Sequence, residues 1–216
     1  MRERTNVIPH TDAAERRALR REQVIRAARA CFEREGLHAA TMAHIAAEAG
    51  MGVGHIYHYF NSREAIVVEV ARRDLEYCLT MLLPTRSTAE LATAMMLVVE
   101  GEAHGAQSDP PLSPALRAEL MAEAGRNGCI ASLIDDTENR CRAYLRGFMS
   151  RKVASPDDPT RDAEAVVELV LATWRGLLAR GCASADTPSL TPALRALLEA
   201  LGSPSSEAHA VTALRP

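Results

Sequence analysis

The chain has 216 residues, of which 47% are hydrophobic, and its formal net charge is −3. This length and composition suffice for one or two domains with hydrophobic cores, and they exclude a polycation. The charge is unevenly placed: in residues 1–63 ten arginines outnumber seven acidic residues, so the rest of the chain carries a net −6. A basic N-terminal part on an acidic body predicts that the N-terminal part meets an anionic partner.

The five cysteines are widely spaced, and no pair has the CxxC spacing of a metal or redox site. The N-terminal residues are charged and lack the apolar segment of a secretory signal. No apolar run approaches the roughly 18 residues that a membrane-spanning helix needs. We therefore expect a reduced, cytoplasmic protein that spans no membrane and uses no cofactor, metal or catalytic residue.

Helical periodicity and capping signals predict about nine helices and no strand of useful length. The first three predicted helices span residues 12–35, 41–49 and 53–60. Gly36 ends the first and Gly50 ends the second, as glycine commonly does at a helix C-terminus. A long fourth helix over 62–83 is predicted to be capped by Asn61 together with Glu64.

The second half of the chain is also predicted to be helical, with five helices. They cover residues 87–106, 113–126, 128–152, 161–180 and 189–201, and Asn127-Gly128 separates the second from the third. Ser87 with Glu90, and Ser113 followed by Pro114, are the expected helix starts. Residues 203–216 are predicted to be a disordered tail.

The stretch GMGVGHIYHYF, residues 50–60, combines alternating glycines with a group of aromatic rings. It fails the dinucleotide-binding pattern G-x-G-x-x-G, because His55 occupies a glycine position and the preceding segment is helical; the G-K-[ST] of a P-loop is absent. With these nucleotide-binding patterns excluded, the stretch is best described as two short helices joined by a tight turn at Gly50 and Gly52. This arrangement predicts a helix-turn-helix, whose second helix enters the major groove of DNA. Its expected inward-facing residues are Ile45, Ala49, Ile56 and Phe60.

Residues 41–65, TMAHIAAEAGMGVGHIYHYFNSREA, resemble the DNA-binding motif of the TetR family of transcriptional regulators. The shared features are Thr41, Ile45-Ala46, Ala49-Gly50, Gly54, Tyr57, Phe60 and the S-R-E-A start of the fourth helix. A weaker resemblance links the segment AELMAEAGRNGCIASLIDD to the body of the choline-sensor, or BetI-like, branch. The resemblance implies an all-α fold, with a helix-turn-helix domain over 12–61 and a helical ligand-binding and dimerisation domain over 62–202, in which 62–83 is the connecting helix.

The resemblance also implies roles for individual residues. Phosphate contacts fall on Thr41, Tyr57, Tyr59 and Arg63. Groove-facing positions fall on Ala43, Val53, Gly54, His55 and His58. Packing is the alternative for Tyr57 and Tyr59, which have apolar rings with polar tips. Two residues depart from the family pattern: Gly52 lacks a capping hydroxyl, and Ala43 lacks the base-reading arginine of some members.

The histidines and arginines of this region leave alternatives open. His44, His55 and His58 are either base contacts or ordinary surface residues. A zinc site at His55 and His58 has helical spacing but lacks a third ligand nearby, so we do not predict it. The cluster Arg16–Arg21 is either a solvated face or a phosphate-binding surface.

Soft apolar residues and mildly polar groups on helical stripes predict a small-molecule cavity in the body, with plain core as the alternative. The candidates are Met95, Met96, Met121, Thr137, Cys141, Tyr144 and Trp174. The last two helices are more apolar than surface helices usually are, and the resemblance implies a four-helix interface between two copies. Its candidates are Val167, Leu171, Leu178, Leu190, Leu194, Leu197 and Leu201.

Together these features favour a homodimeric repressor on a palindromic operator in double-stranded DNA. The resemblance implies that an unknown small molecule releases it by binding the C-terminal domain. A ligand-insensitive or activating regulator is the first alternative. An α-helical enzyme that uses His55 and His58, and a scaffold dimer, are more remote.

Overall fold

The computed structural model describes residues 13–100, 111–153, 163–180 and 190–202. Within these ranges the chain forms helices and no strand, as the all-α prediction expects. The helices are α1 (Ala13–Glu35), α2 (Met42–Glu48), α3 (Val53–Ile56), α4 (Arg63–Leu82), α5 (Thr88–Glu100), α6 (Pro114–Glu123), α7 (Gly128–Val153), α8 (Ala163–Arg180) and α9 (Thr191–Gly202). None of these helices combines the length and the apolar character needed to cross a membrane. The predicted extension of α5 over 101–106 and the predicted tail lie outside the described residues.

The chain divides into two compact units, residues 1–70 and 71–216, and the division falls inside α4. In the first unit α1 packs against α2, and α2 packs against α3. One face of α1 is buried at helical spacing and meets the inward faces of the two short helices. The core residues include Val24, Ile25, Ala28, Phe32, Leu37, Ile45, Ile56 and Phe60. This confirms the inward positions expected for a helix-turn-helix.

In the second unit α5 packs against α9 and α7 packs against α8. Their shared core extends from Tyr77 and Cys78 of α4 to Leu194 and Leu198 of α9. Three arginine–glutamate pairs join α7 to α8 along their length: Arg142 with Glu168, Arg146 with Glu164 and Arg175 with Glu138. These pairs are mostly exposed, so they align the two helices more than they stabilise them.

Three of the seven residues predicted to form the dimer interface are buried in the core of the second unit, and three more are partly buried against it. These are the buried Val167, Leu171 and Leu194 and the partly buried Leu178, Leu190 and Leu201. Leu197, with 37% of its surface exposed, is the exception among them. Packing within one copy accounts for the buried residues of the stripe, and an interface that uses its partly buried and exposed residues stays a prediction.

Several helix ends follow the predicted capping signals. Gly36 and Gly50 adopt positive φ angles of 85° and 62°, where a residue with a Cβ is strained. Ser87 Oγ accepts the N–H of Glu90, and Ser113 Oγ accepts the N–H of Leu116. These caps were predictable because each one depends on a few neighbouring residues.

Three helix ends differ from the prediction. Helix α6 ends at Glu123 instead of residue 126. The cap of α4 is Ser62 rather than Asn61, because Ser62 Oγ accepts the N–H of Ala65 at 3.1 Å. Helix α3 ends at Ile56 instead of residue 60. After Ile56 the chain tightens, since the N–H of Tyr59 donates to the carbonyl of Ile56, three residues back.

The start of α3 generates a prediction about stability. Gly52 precedes α3 with φ −70° and ψ 144° and provides no side-chain cap. A Cβ at this position would meet no atom within 4 Å. We expect Gly52→Ser to raise the free energy of unfolding by about 0.5–1 kcal/mol, because a serine in this conformation can cap α3 and because glycine costs more entropy on folding. Urea denaturation followed by circular dichroism measures the change.

Gly50→Ser is the matched control, since it adds the same side chain two residues earlier. Its backbone has φ +62°, so we expect a loss of about 1–2 kcal/mol. Equal effects of the two substitutions would contradict the cap explanation.

Candidate nucleic-acid interface and ligand cavity

Helix α3 and the turn after it present a row of exposed residues on one side of the first unit. The exposed members of the predicted set are Val53, Gly54, His55, Tyr57 and His58. The opposite side is anchored by Ile56 and Phe60, which are at most 3% exposed. The residues predicted to face the groove are therefore accessible to a bound duplex.

The start of α2 adds three exposed residues from the predicted set: Thr41, Ala43 and His44. Thr41 Oγ1 accepts the N–H of His44 at 3.2 Å, so Thr41 caps α2 while its own hydroxyl hydrogen remains free to donate. His44 Nδ1 lies 2.5 Å from Glu35 Oε2. Hydrogen bonds from Arg34 and then from His44 hold the pKa of the Glu35 carboxyl below its usual value. An ionised Glu35 therefore orients the imidazole of His44.

Tyr59 and His55 form a cluster on the same surface. The hydroxyl of Tyr59 lies 3.2 Å from Nε2 of His55, and their ring centroids are 5.4 Å apart. His58 meets His55 edge to face at 5.9 Å. Among the described residues no group of three or more His, Cys, Asp or Glu side chains could hold a metal ion. Aromatic stacking and a hydrogen bond account for the grouping of these rings.

Arg63 is placed differently from the other residues expected to hold phosphates. Its Nε donates to the carbonyl of Ala40 at 2.7 Å, and its guanidinium carbon lies 5.6 Å from the centroid of the Phe32 ring. Its Nη2 is buried and has no hydrogen-bond partner in the described part of the chain. The side chain thus ties the start of α4 to the segment before α2, and a phosphate contact would have to use its remaining N–H groups.

Two arginines of the cluster on α1 hold the turn that follows α3. Arg17 Nη2 donates to the carbonyl of His58 at 3.2 Å, and Arg21 Nη1 donates to the carbonyl of Tyr59 at 3.1 Å. Arg21 also lies over the Phe60 ring, 4.1 Å from its centroid. Carbonyls at a helix C-terminus lack partners within the helix and favour a nearby cation. Arg17 and Arg21 therefore fix the end of the segment that carries the recognition surface.

Sequence reasoning left the role of this arginine cluster open, although a signal was available. Arg17 and Arg21 are four residues apart, and Val24 and Ala28 continue the same helical face into the core. Arginines that extend a buried stripe are placed to contact whatever packs on that stripe. The sequence did not say which carbonyls they would meet.

The second unit contains a cavity of about 320 Å³, lined by residues of α4, α6, α7 and α8. Four of the residues predicted for a ligand pocket line it: Met121, Thr137, Cys141 and Trp174. Met95 and Met96 are buried in the core without lining the cavity. The hydroxyl of Tyr144 donates to the carbonyl of Thr85 at 2.6 Å, and Tyr144 does not line the cavity either.

A buried ion pair in the cavity wall was missed by sequence reasoning. Arg117 Nε and Nη2 donate to the two carboxylate oxygens of Asp74 at 2.7 and 2.8 Å. The side chains of Asp74 and Arg117 are 4% and 6% exposed. Burial opposes the charge of Arg117, but the hydrogen bonds to Asp74 raise its pKa above the usual value. Both helices carry other charged residues, and the sequence does not indicate that Asp74 and Arg117 pair across 43 positions.

Two comparisons concern the family and the fold. The family model described as "Bacterial regulatory proteins, tetR family" matches residues 24–70, which run from the middle of α1 into α4. The structure of GusR from Salmonella enterica superposes with a TM-score of 0.63 at 26% identity, covering 85% of this chain and 95% of that one.

Two curated regulators are similar over most of the chain. BetI, an HTH-type transcriptional regulator of Vibrio atlanticus, is 26% identical over 164 residues, which are 74% of this chain and 81% of BetI. AcnR, an HTH-type transcriptional repressor of Corynebacterium jeikeium, is 26% identical over 201 residues, which are 91% of this chain and 97% of AcnR. The similarity therefore extends beyond the helix-turn-helix into the body, as the weaker BetI-like resemblance predicts.

The contacts of Arg21 generate a prediction about DNA affinity. We expect Arg21→Ala to weaken binding to a duplex selected by the protein from a random-sequence library by roughly tenfold. It removes the hydrogen bond to Tyr59, worth about 1.5–3 kcal/mol when the donor is charged, and loosens the recognition segment. Fluorescence anisotropy at several salt concentrations gives the affinity.

Arg20→Ala is the matched control, because Arg20 contacts Gln23 of its own helix at 2.9 Å rather than the end of α3. Both variants lose one positive charge, so general attraction to DNA falls equally in both. A loss of the same size in the two variants would contradict the positioning role of Arg21.

Proposed function

Since the chain belongs to the tetR family of DNA-binding transcriptional regulators, we propose that it is a homodimeric repressor. It binds a palindromic operator in the cytoplasm and leaves the operator when a small molecule enters the cavity of the second unit. The observation that carries the proposal is that α4 contributes both to the unit that bears the recognition surface and to the wall of the cavity.

The DNA-binding half of the proposal is supported by exposed residues suited to a duplex. Tyr57, His55 and His58 can donate to phosphates or contact base edges, and Val53 can contact a thymine methyl group. A Cβ at Gly54 would meet no atom within 4 Å. The fold therefore does not require glycine at this position, and close approach of the α3 backbone to DNA is a reason for its presence.

The ligand-release half is supported by the position of the cavity along α4. Ala71, Asp74, Leu75 and Cys78 of α4 line the cavity, immediately after the last residue of the first unit, Val70. A ligand that favours one position of these residues over another shifts the equilibrium between two conformations of the protein. Displacement of α4 would change the spacing of two recognition helices in a dimer, so that they no longer fit two half-sites.

Dimerisation is supported by the outer faces of α8 and α9. On α8 the exposed residues Ala165, Leu169, Ala172 and Gly176 recur at helical spacing and carry no charge. Leu169 is 48% exposed, and Leu197 on α9 is 37% exposed. Small residues allow close approach of helices, and a large apolar residue in each helix offers the contact. We place the four-helix interface on these faces, in place of the buried residues predicted from the sequence.

Repression is supported by the name of AcnR, which aligns with 91% of this chain and is a transcriptional repressor. The relatives are regulators rather than enzymes, which argues against the α-helical enzyme as an alternative. A ligand-insensitive or activating regulator remains the rival, and a titration separates it from the proposed repressor.

The proposal predicts that ligand binding and DNA binding oppose each other. Compounds that raise the melting temperature of the free protein are titrated into its complex with the library-selected duplex. We expect the DNA affinity to fall by about 5- to 150-fold, the usual range of coupling between two sites. A compound that binds the protein and leaves the DNA affinity unchanged would contradict ligand release.

The dimer face generates a separate prediction. Leu169→Asp places a charge in the proposed interface, so we expect the protein to become monomeric in sedimentation equilibrium and to lose affinity for a duplex with two half-sites. Leu83→Asp is the matched control, since Leu83 is also an exposed leucine, at 39%, but lies at the end of α4. A Leu169→Asp protein that remains dimeric would exclude this face.

A further inference from the structure

The cavity of the second unit has charged residues in its wall but offers no free charge. Of the lining residues that the structure describes, the charged ones are Asp74, Arg117, Glu138 and Arg175. Asp74 pairs with Arg117, and Arg175 Nε donates to Glu138 Oε1 at 2.7 Å. Two acids and two bases therefore neutralise each other around a predominantly apolar space.

The Asp74–Arg117 pair is also satisfied by the backbone. Arg117 Nη1 donates to the carbonyl of Val98 at 2.5 Å, and Asp74 Oδ1 accepts the N–H of Leu112 at 3.1 Å. An anionic ligand that recruited Arg117 would leave Asp74 buried without its partner, and a cationic ligand at Asp74 would do the same to Arg117. Breaking such a pair is strongly unfavourable, so a charged ligand is disfavoured beside Asp74 and Arg117.

Trp174 contributes the one unused polar atom that we identify in the wall. It is 7% exposed, and its indole Nε1 is buried without a hydrogen-bond partner among the described residues. The hydroxyl of Thr137, another lining residue, already donates to the carbonyl of Leu133 at 2.8 Å. A buried N–H without an acceptor is costly, and a ligand in the cavity that Trp174 lines removes the cost if a small rotation of the indole brings Nε1 to its acceptor group.

The two lining thiols are not set up to react with a ligand. Burial, followed by repulsion from Glu138, raises the pKa of Cys141 to about 11, and burial is also the main cause that raises the pKa of Cys78. The thiolate is the nucleophilic form of cysteine, so both side chains act as apolar wall. Binding in this cavity is reversible and non-covalent.

The volume sets a lower limit on the size of ligand that the cavity can hold. Even at about 30 Å³ for each non-hydrogen atom, the share of one water molecule in the liquid, the cavity of about 320 Å³ has room for at least ten such atoms. This lies at the small end of ligand pockets, which are about 300–1,000 Å³.

We propose that the cavity binds a small, uncharged, largely apolar molecule with a single hydrogen-bond acceptor, which accepts from Nε1 of Trp174. This inference rests on the proposed function in one respect: it takes the cavity to be the site where the effector binds. It specifies the chemical class of the effector: aryl or alkyl ketones, esters and ethers fit it, whereas carboxylates and amines do not.

The test uses acetophenone, cumene and benzoate, which have the same number of non-hydrogen atoms and nearly the same shape. Acetophenone is neutral with an acceptor, cumene is neutral without one, and benzoate is an anion. Isothermal titration calorimetry of the full chain without DNA measures each affinity. We expect acetophenone to bind about five- to tenfold more tightly than cumene, the effect of one net hydrogen bond, and benzoate to bind most weakly.

Variants of the full chain locate the binding. Trp174→Phe keeps an aromatic ring and removes the N–H, so acetophenone should fall to the affinity of cumene while cumene changes little. Ala118→Phe fills the cavity, which Ala118 lines, and should abolish binding of all three probes. Ala115→Phe, on the exposed side of the same helix, is the matched control and should keep the wild-type affinities. Circular dichroism establishes that each variant is folded.

The outcomes separate this proposal from the proposed function. Benzoate binding as tightly as acetophenone, an unchanged acetophenone-to-cumene ratio in Trp174→Phe, or no binding of any probe overturns the assigned ligand class. Acetophenone that binds as expected but leaves the affinity for the selected duplex unchanged overturns ligand release and leaves the cavity chemistry standing. If benzoate releases the duplex and acetophenone does not, ligand release stands and the assigned ligand class is overturned.

Discussion

The recognition segment depends on hydrogen bonds from α1, because α3 is too short to hold itself. A helix of four residues, Val53–Ile56, is far below the length at which helices are stable in isolation. The carbonyls of His58 and Tyr59, in the turn after α3, instead accept hydrogen bonds from Arg17 and Arg21. Gln23 Nε2 donates in the same way to the carbonyl of Ala49 at the end of α2. Burial of Ile56 beneath these contacts supplies the apolar part of the anchoring. The exposed side chains of the segment are therefore held by residues that need not touch DNA.

In the second unit, the wall of the cavity depends on a buried ion pair. Asp74 and Arg117 are buried, and either charge alone would be strongly destabilising. The two remaining contacts, to Val98 and Leu112, tie the pair to the last turn of α5 and to the segment before α6. The same saturation that makes the pair tolerable leaves the cavity beside it electrically neutral. Stability of the wall and the ligand selectivity that we propose for the cavity thus have one physical cause.

The sequence predicts those features that depend on neighbouring residues or on the helical spacing of apolar residues. The caps at Ser87 and Ser113 and the inward residues of the helix-turn-helix needed no knowledge of distant contacts. The sequence does not predict which surface a given residue packs against. The apolar stripe of α8 indicates that Val167 and Leu171 are buried, but it does not indicate whether they face their own chain or a second copy. Asp74 and Arg117 could not be paired from the sequence for the same reason.

A cavity this small is sufficient to control a DNA-binding protein on energetic grounds. Binding is limited to about 1.5 kcal/mol for each non-hydrogen atom in the best very small ligands, and drug-sized ligands gain about 0.3 kcal/mol for each. At the lower figure, a ligand of roughly ten such atoms gains about 3 kcal/mol. Coupling between two sites usually needs about 1–3 kcal/mol. Only the difference in affinity between two conformations counts toward coupling. The cavity wall begins at Ala71, so Asp74 lies only four helical residues, or about 6 Å of rise, beyond Val70. A modest preference of the ligand for one position of this turn of α4 therefore meets the energetic requirement.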